Sequence, residues 1–183
     1  MFLKFRLQNC FSLTEDNMLE GKTVLLVITG GIAAYKSIEL IRLLQTNNAK
    51  VVPVMTKSAQ QFIKPLSVAA IAGSKVYTEL FDLTAEAEMG HIELSRSADI
   101  ILVAPASADF LSKMAQGSCD DIASTLLLAT DKPVLVAPSM NVRMWHHPAT
   151  QRNLNTINDD GIITIGPNEG GMACGEFGLG RMS

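Results

Sequence analysis

The stretch TVLLVITGGIAAYK, residues 23–36, decides the fold of this chain. Its first part, residues 23–29, is a short and continuous apolar run, which is typical of a strand that is buried on both faces. Gly30 and Gly31 end that run, and residues 32–45 then place their apolar side chains at helical spacings. A strand, a tight glycine turn and a helix in direct succession indicate the first half of a βαβ unit.

The same alternation continues along the rest of the chain. We predict further strands at residues 49–55, 100–104, 134–137 and 162–165. We predict helical segments within residues 58–72 and at residues 108–116, 122–129 and 148–158. Because short strands alternate with helices, we expect a single α/β domain that has a parallel sheet with helices on both faces.

The composition of the 183 residues argues against several classes of protein. Hydrophobic residues make up 48% and charged residues 18%, so the chain should fold. The formal net charge is −3 without a basic tract, which disfavours nucleic acid and membrane surfaces as partners. Three cysteines without a C-x-x-C pair argue against a disulfide framework, and three histidines without a Cys/His cluster argue against a metal site.

The first residues form a separate segment. Lys4 and Arg6 lie among apolar residues, but the apolar stretch is broken too often to form the core of a signal peptide. We expect residues 1–17 to be a poorly ordered extension and residues 18–183 to be the folded domain. The alternative is that residues 1–17 form a short amphipathic arm that docks on a neighbouring subunit.

The segments that follow the predicted strands carry most of the functional information. In a parallel sheet of this kind, ligands bind beyond the carboxyl ends of the strands, near a switch in strand order. The segments after the first four strands are residues 30–33 (GGIA), 56–58 (TKS), 105–109 (PASAD) and 138–141 (PSMN). Most of these residues are small or polar, and three of the four segments contain a hydroxyl side chain.

These segments favour a mononucleotide ligand. Glycines between a strand and a helix let a phosphate approach free backbone N–H groups. The G-x-G-x-x-G fingerprint is absent from this turn, and the second strand does not end in an Asp or Glu that would hold a ribose. The hydroxyl groups and the cation of residues 56–58 suit a terminal phosphate, so FMN fits better than NAD. The alternative is that Ser58 and Ser107 are simply N-caps of the helices that follow them.

Five segments together make the pattern specific. They are residues 30–36 (GGIAAYK), 89–94 (MGHIEL), 105–109 (PASAD), 138–145 (PSMNVRMW), and 173–175 (ACG) with 178–182 (GLGRM). In this order they resemble the homo-oligomeric flavin-containing cysteine decarboxylases, from about Gly21 to the end of the chain. Two features depart from the family pattern: Asp109 stands where many members have Asn, and residues 1–17 have no counterpart.

The resemblance implies a Rossmann-like or flavodoxin-like doubly wound sheet that binds FMN. It points to the members that decarboxylate 4′-phosphopantothenoylcysteine to 4′-phosphopantetheine in coenzyme A biosynthesis. It also implies a cytoplasmic enzyme that self-associates as a trimer or dodecamer, with FMN at a subunit interface. In bacteria such a domain usually forms the amino-terminal half of a bifunctional protein, so we expect either a stand-alone decarboxylase or a fragment of the longer protein.

The resemblance also assigns residues to the site. His91 is the active-site histidine, Asn141 holds the substrate carboxylate, and Cys174 is the acid that serves the reduction of an enethiol. Met144 and Arg181 join Asn141 in binding the substrate, Arg181 as a candidate clamp for its phosphate. The FMN-binding residues are Gly30, Gly31, Ile32, Ala33, Ser58, Ala106, Ser107, Ala108 and Asp109. Structural alternatives stay open for three of these residues. Asn141 could serve only as a turn residue, Cys174 could be a small buried hydrophobic residue, and Arg181 could be an ordinary surface arginine.

Two other functions remain as alternatives. A flavin prenyltransferase of the same fold would need a dimethylallyl-phosphate site and would not need His91 together with Cys174. An FMN-binding regulatory subunit would have lost catalytic residues, and the presence of His91, Asn141 and Cys174 counts against it.

Overall fold

A computed structural model describes residues 19–80 and 90–183, except for the side chain of His91. In these ranges a five-stranded parallel sheet has the order β2-β1-β3-β4-β5. The strands are β1 Thr23–Ile28, β2 Lys50–Met55, β3 Ile100–Ala106, β4 Val134–Pro138 and β5 Ile163–Thr164. The order is that of a flavodoxin-like doubly wound sheet, so the predicted strands and the predicted fold class are confirmed.

The helices lie between the strands, as the alternation predicted. They are α1 Lys36–Thr46, α2 Pro65–Ala72, α3 Gly90–Ser97, α4 Ala108–Gln116, α5 Ile122–Leu128, α6 Val142–His146 and α7 Pro148–Asp159. Short 3-10 helices precede two of them, Ile32–Tyr35 before α1 and Ala59–Gln61 before α2. The helical conformation is interrupted ahead of α2, because Lys64 is extended, as the residue before a proline tends to be. Pro65 then begins α2. Across the described ranges, no helix combines the length and apolar character that crossing a bilayer requires.

Alternate residues of β1 pack against helices on opposite faces of the sheet. Leu25 and Val27 belong to a core that includes side chains of α3, α4, α5 and α7. Leu26 and Ile28 belong to a second core with α1 and α2. All four side chains are fully buried. A strand between two helical layers needs apolar residues on both faces, which explains the continuous apolar run.

The glycine-rich segment near residue 170 forms an antiparallel hairpin that the sequence patterns did not predict. Its strands are β6 Asn168–Gly171 and β7 Phe177–Arg181, and Cys174 lies in the turn between them. The Met140 N–H, in the loop after β4, donates to the Gly180 carbonyl at 3.0 Å. Gly180 has a φ of +138°, and a Cβ there would collide with the Met140 carbonyl, so this contact requires glycine.

Candidate functional site

The loops after β1, β2 and β3 surround a polar cleft of about 390 Å³. Thr56, Lys57 and Ser58 line it from the β2 side, and Ser107 and Asp109 line it from the β3 side. β1 lies between β2 and β3 in the sheet, so this cleft opens at the switch in strand order. Among the described residues, the fold therefore gathers the hydroxyl groups of Thr29, Thr56, Ser58 and Ser107 and the ammonium groups of Lys57 and Lys113 at the place where such sheets bind ligands.

Ser58 stands at the N-cap position before the 3-10 helix Ala59–Gln61, as one interpretation of the sequence expected. Its side chain makes no capping hydrogen bond to the 3-10 helix that follows it. Thr56 does so instead, because its Oγ1 accepts the Ala59 N–H at 3.2 Å. The Ser58 Oγ lies 3.1 Å from Thr56 Oγ1, and a Cβ on Gly30 would lie 2.5 Å from the Ser58 side chain. Glycine at residue 30 is thus needed for the β1 and β2 loops to approach each other.

Ser107 caps a helix and lies at the cleft at the same time. Its Oγ accepts the Phe110 N–H at 3.2 Å at the start of α4, so the capping interpretation of this residue is correct. The Ser107 N–H donates to Thr29 Oγ1 at 2.9 Å, and Thr29 Oγ1 donates to the Pro105 carbonyl at 2.7 Å. The buried Thr29 hydroxyl therefore fixes the loop after β3 against the end of β1.

Among the described residues that line this cleft, the charges leave one cation available. Lys113 forms ion pairs with Asp120 at 2.8 Å and Asp121 at 3.2 Å, and these carboxylates, Asp120 foremost, raise the pKa of Lys113. Lys57 has no ion-pair partner among the described residues. The arrangement suits a phosphate, which Lys57 can neutralise and the hydroxyl groups can hydrogen-bond.

Gly31 lines a second cleft, which is less polar and has a volume of about 310 Å³. A Cβ on Gly31 would have no neighbour within 4 Å, so the backbone here faces open space. The other lining residues come from the turn before α1, the loop after β4, and the β6–β7 hairpin: Ile32, Ala33, Tyr35, Lys36, Ser139, Met140, Asn141, Gly171, Met172, Ala173, Cys174, Gly180, Arg181 and Met182. Asn141, Cys174 and Arg181 thus share one cleft with the predicted FMN-binding residues Gly31, Ile32 and Ala33.

The side chain of Asn141 caps α6 and also leaves its Nδ2 hydrogen-bond donor available to a ligand. Its Oδ1 accepts the Met144 N–H at 2.8 Å and thereby caps α6, which places the side-chain amide at the edge of the cleft. Because Oδ1 is engaged, the Nδ2 hydrogens are the part of the amide that can meet a ligand oxygen. Met144 is 47% exposed and does not line the cleft, whereas Met140 does.

The thiol of Cys174 is exposed and has an acidic neighbour. Its Sγ lies 3.6 Å from Glu176 Oε2, a distance at which the thiol donates a weak hydrogen bond to the carboxylate. Arg143 Nε lies 3.4 Å from Glu176 Oε1. Sequence reasoning did not single out Glu176 or Arg143, because contacts between the hairpin turn and α6 are invisible without the fold.

Lys36 is a further site residue that sequence reasoning missed. It begins α1, lines the second cleft, and its Nζ donates to the Met182 carbonyl at 2.7 Å. Burial lowers the pKa of Lys36, and the nearby positive charge of Arg181 lowers it further. The available signal was its place at the end of the segment GGIAAYK, directly after the glycine turn.

The remaining predicted residues are less closely tied to the clefts. Ala106 is buried within β3 and Ala108 is the first residue of α4, and neither lines either cleft. The side chain of His91 lies outside the described part of the chain, as do residues 1–18. Within the described ranges, no cluster of His, Cys, Asp and Glu side chains is arranged to hold a metal.

The hydroxyl-lined cleft contains Lys57 and lies next to the less polar cleft, at the switch point of a doubly wound sheet. This arrangement is typical of α/β proteins that bind a mononucleotide. The sequence also matches the model of the Flavoprotein family over residues 12–183. The chain belongs to this family.

Known relatives agree with this assignment. The coenzyme A biosynthesis bifunctional protein CoaBC of Haemophilus influenzae is 52% identical over 90% of this chain, and the match spans 41% of that protein. One solved structure is a cysteine-to-serine mutant of a PPC decarboxylase, complexed with pantothenoylaminoethenethiol. It is 37% identical to this chain with a TM-score of 0.80, and the match covers 88% of this chain and 91% of that chain. The FMN-binding protein AtHal3 is 37% identical with a TM-score of 0.76, over 88% of this chain and 89% of that chain. The chain thus spans less than half the length of its curated bifunctional relatives.

Proposed function

We propose that this chain is an FMN-dependent decarboxylase that converts 4′-phosphopantothenoylcysteine to 4′-phosphopantetheine, a step of coenzyme A biosynthesis. The observation that carries the proposal is the convergence of Asn141 and Cys174 on the less polar cleft, beside the hydroxyl-lined cleft that suits a phosphate. Support also comes from relatives that are described as a PPC decarboxylase and as an FMN-binding protein.

The residues of both clefts fit FMN. The hydroxyl groups of Ser58 and Ser107 and the ammonium group of Lys57 would hold its phosphate. Gly31, Ile32 and Ala33 would face its ring system, since Gly31 leaves space there and the cleft is less polar. The exposed Asp109 carboxylate, which also lines the phosphate cleft, would contact the polar chain of FMN rather than its phosphate.

The reaction needs an electron sink, because the loss of CO2 from an ordinary amino-acid carboxylate would leave an unstabilised carbanion. The chemistry that bound FMN would supply is reversible hydride acceptance from the CH2–SH group of the substrate. Once that carbon is a thioaldehyde, the carboxylate is β to a thiocarbonyl and can leave as CO2, which gives an enethiol. Asn141 suits the carboxylate, because its neutral Nδ2 group orients the carboxylate without pairing with its charge.

Reduction of the enethiol to the saturated thiol would take back the hydride that FMN had accepted, and it also needs a proton at the carbon that lost CO2. Cys174 lines the same cleft as Asn141, and its thiol is the acid that we assign to this step. His91 would act as a base or proton carrier near the substrate thiol or carboxylate. The relative that was captured with an aminoethenethiol is a cysteine-to-serine mutant, which fits a cysteine that acts after CO2 has left.

We further propose that the protein works in the cytoplasm as a trimer or as a dodecamer built from trimers. Large hydrophobic side chains support an assembly, since Leu66 is 81% exposed, Phe177 71% and Tyr35 59% in the single chain. A monomeric mass in solution scattering at micromolar concentration would refute this part of the proposal.

A direct assay tests the reaction. FMN-loaded protein is mixed with 4′-phosphopantothenoylcysteine, and CO2 and 4′-phosphopantetheine are measured. We expect both products in equal amounts. A flavin prenyltransferase or a regulatory FMN-binding subunit would release no CO2, so the absence of CO2 from protein that retains FMN would reject the proposed reaction.

A further inference from the structure

The Cys174 thiol lies at a cleft whose wall carries positive charge. Lys36 and Arg181 line the same cleft, and no carboxylate is among the described residues that line it. Nearby cations favour the thiolate form of a cysteine over the thiol. A thiolate has no proton to give, so these two cations oppose the acid role that we assign to Cys174.

Glu176 supplies a negative charge at the thiol itself. Both residues lie between β6 and β7, and Glu176 Oε2 lies 3.6 Å from Cys174 Sγ. A thiol can donate a hydrogen bond across this distance, whereas a thiolate would place a second negative charge beside the carboxylate. Because like charges repel at close range, the Glu176 carboxylate favours the protonated form of Cys174.

An ion pair holds the Glu176 carboxylate in this orientation. Arg143 Nε, on α6, lies 3.4 Å from Glu176 Oε1, so one carboxylate oxygen meets the guanidinium group and the other meets the thiol. The Arg143 side chain is 87% exposed, so water screens the pair and the carboxylate keeps most of its charge. Asn141 caps the same helix, and the pair therefore also ties the hairpin turn to the element that positions Asn141.

We propose that Glu176 is a positioning residue that keeps the Cys174 thiol protonated until the enethiol is reduced, with Arg143 orienting the Glu176 carboxylate. The proposal rests on the proposed function. In the reduction, the carbon that lost CO2 takes a proton from Cys174, and the sulfur-bearing carbon takes back the hydride that FMN holds. The Cys174 thiolate then regains a proton from water, and the repulsion from Glu176 favours that return.

Alkylation of the FMN-loaded protein by iodoacetamide tests this role without substrate, because the thiolate is the form that reacts. Glu176→Gln keeps an oxygen that can accept from the thiol but removes the charge, so Cys174 should react about threefold to tenfold faster at pH 7. Arg143→Gln removes the cation that partly offsets this charge, so Cys174 should react about twofold more slowly. Peptide mass spectrometry assigns the modification to Cys174.

Glu169→Gln is the matched control. Glu169 is exposed on β6 of the same hairpin and does not line the cleft, so its loss changes the net charge equally and should leave the Cys174 rate unchanged. Cys119 is exposed outside the cleft and serves as an internal reference with the same rate in each protein. If Glu176→Gln and Arg143→Gln change the Cys174 rate in the same direction, the pair only holds the turn and the proposal is wrong. An unchanged rate in Glu176→Gln would also overturn it.

The products of the reaction give a second measurement. In Glu176→Gln, the amount of saturated thiol formed per CO2 should fall at a pH about half to one unit lower than in the parent protein, and the enethiol should accumulate instead. The same pH dependence in both proteins would overturn the proposal. The role of Glu176 and the reaction can also fail independently. Altered alkylation with no CO2 release by the parent protein would reject the reaction alone, whereas CO2 release with unaltered alkylation would reject the role of Glu176 alone.

Discussion

At the scale of single residues, Cys174 gives the sharpest prediction. In the Cys174→Ser variant the groups that release CO2 are intact, so CO2 should still form. A serine hydroxyl is a far weaker acid than a thiol, whose reference pKa is about 8.5. Formation of saturated 4′-phosphopantetheine should therefore fall about 100-fold or more, and the enethiol should accumulate.

Single-turnover analysis of CO2 and of the thiol products checks this prediction. Cys119→Ser is the control, since Cys119 is also an exposed free cysteine but lies outside the cleft that Cys174 and Asn141 line. Saturated product at the parent rate would make Cys174 structural. A loss of CO2 release with FMN and substrate still bound would place Cys174 earlier in the reaction than we propose.

Asn141 and His91 should be separable from cofactor binding. Asn141→Asp keeps an oxygen that can cap α6 but puts a negative charge beside the substrate carboxylate, so decarboxylation should fall on the order of 100-fold. His91→Asn should likewise retain FMN and lose CO2 release, because a proton carrier is removed. Flavin absorbance and CO2 release measure the two properties independently, and near-normal turnover in either variant would exclude that residue from the mechanism.

Sequence reasoning reached some of these residues and not others for a physical reason. Asn141 and Cys174 could be named because each stands in a distinctive local segment. Lys36 was missed because its partner Met182 is 146 residues away along the chain. One interpretation of the sequence made Ser58 simply an N-cap, whereas the Thr56 hydroxyl provides the capping hydrogen bond to the 3-10 helix at residues 59–61.

At the scale of elements, β7 depends on a glycine that no other residue can replace. Gly180→Ala would force a Cβ into the Met140 carbonyl at a positive φ, so the free energy of opening at the Met140 amide should fall by about 1–3 kcal/mol. Hydrogen exchange of that amide measures the effect. Gly171→Ala in β6 is the control, because a Cβ there meets nothing within 4 Å. Unchanged protection of Met140 in the Gly180 variant would mean that β7 is not held by this contact.

The start of β1 offers a pH-dependent prediction. The Asp99 carboxylate accepts the Thr23 N–H at 2.8 Å and the Lys22 ammonium at 3.1 Å, and these bonds, Thr23 first, hold the pKa of Asp99 below its usual value. A carboxyl group with a lowered pKa in the folded state contributes stability above its unfolded pKa, and this contribution disappears as the pH falls through the folded pKa.

Asp99→Asn should therefore reduce the free energy of unfolding by about 1 kcal/mol at pH 7, after allowance for partial exposure. The difference between parent and variant should shrink below about pH 4, as Asp99 becomes protonated in the unfolded and then in the folded chain. Urea unfolding at several pH values gives the comparison, with the exposed Asp159→Asn as control. A difference that does not depend on pH would show that Asp99 acts through packing rather than through its charge.

At the scale of the whole molecule, the two clefts together predict the bound cofactor. We expect purified protein to show an oxidised flavin spectrum and to release FMN rather than FAD on denaturation. Lys57→Gln should weaken FMN binding about tenfold, because Lys57 lines the hydroxyl-lined cleft and has no ion-pair partner among the described residues, whereas Lys64→Gln at an exposed site should not weaken it. Chromatography of the released flavin and a fluorescence titration measure these effects, and stoichiometric FAD would contradict the prediction.

The fold as a whole was predictable from sequence because β1, β2, β3 and β4 are buried between helices. Such strands appear in the sequence as continuous apolar runs. These runs predicted the bounds of the five described strands of the parallel sheet to within a few residues. The β6–β7 hairpin gave no such signal, since four of its nine strand residues are glycine and alternate residues of β7 lack a side chain. Its position is set by backbone contacts to the loop after β4, and these contacts depend on the folded sheet.

The β6–β7 hairpin also has a consequence for turnover. It carries Cys174, the proposed proton donor, in its turn and Arg181, the candidate clamp for the substrate phosphate, at the end of β7. Binding energy gained at the phosphate, far from the reacting carbon, can thus be used to bring the acid into position. A substrate without its phosphate should then react with a lower kcat as well as bind more weakly. The distant end of the substrate would control the rate of a reaction in which it takes no chemical part.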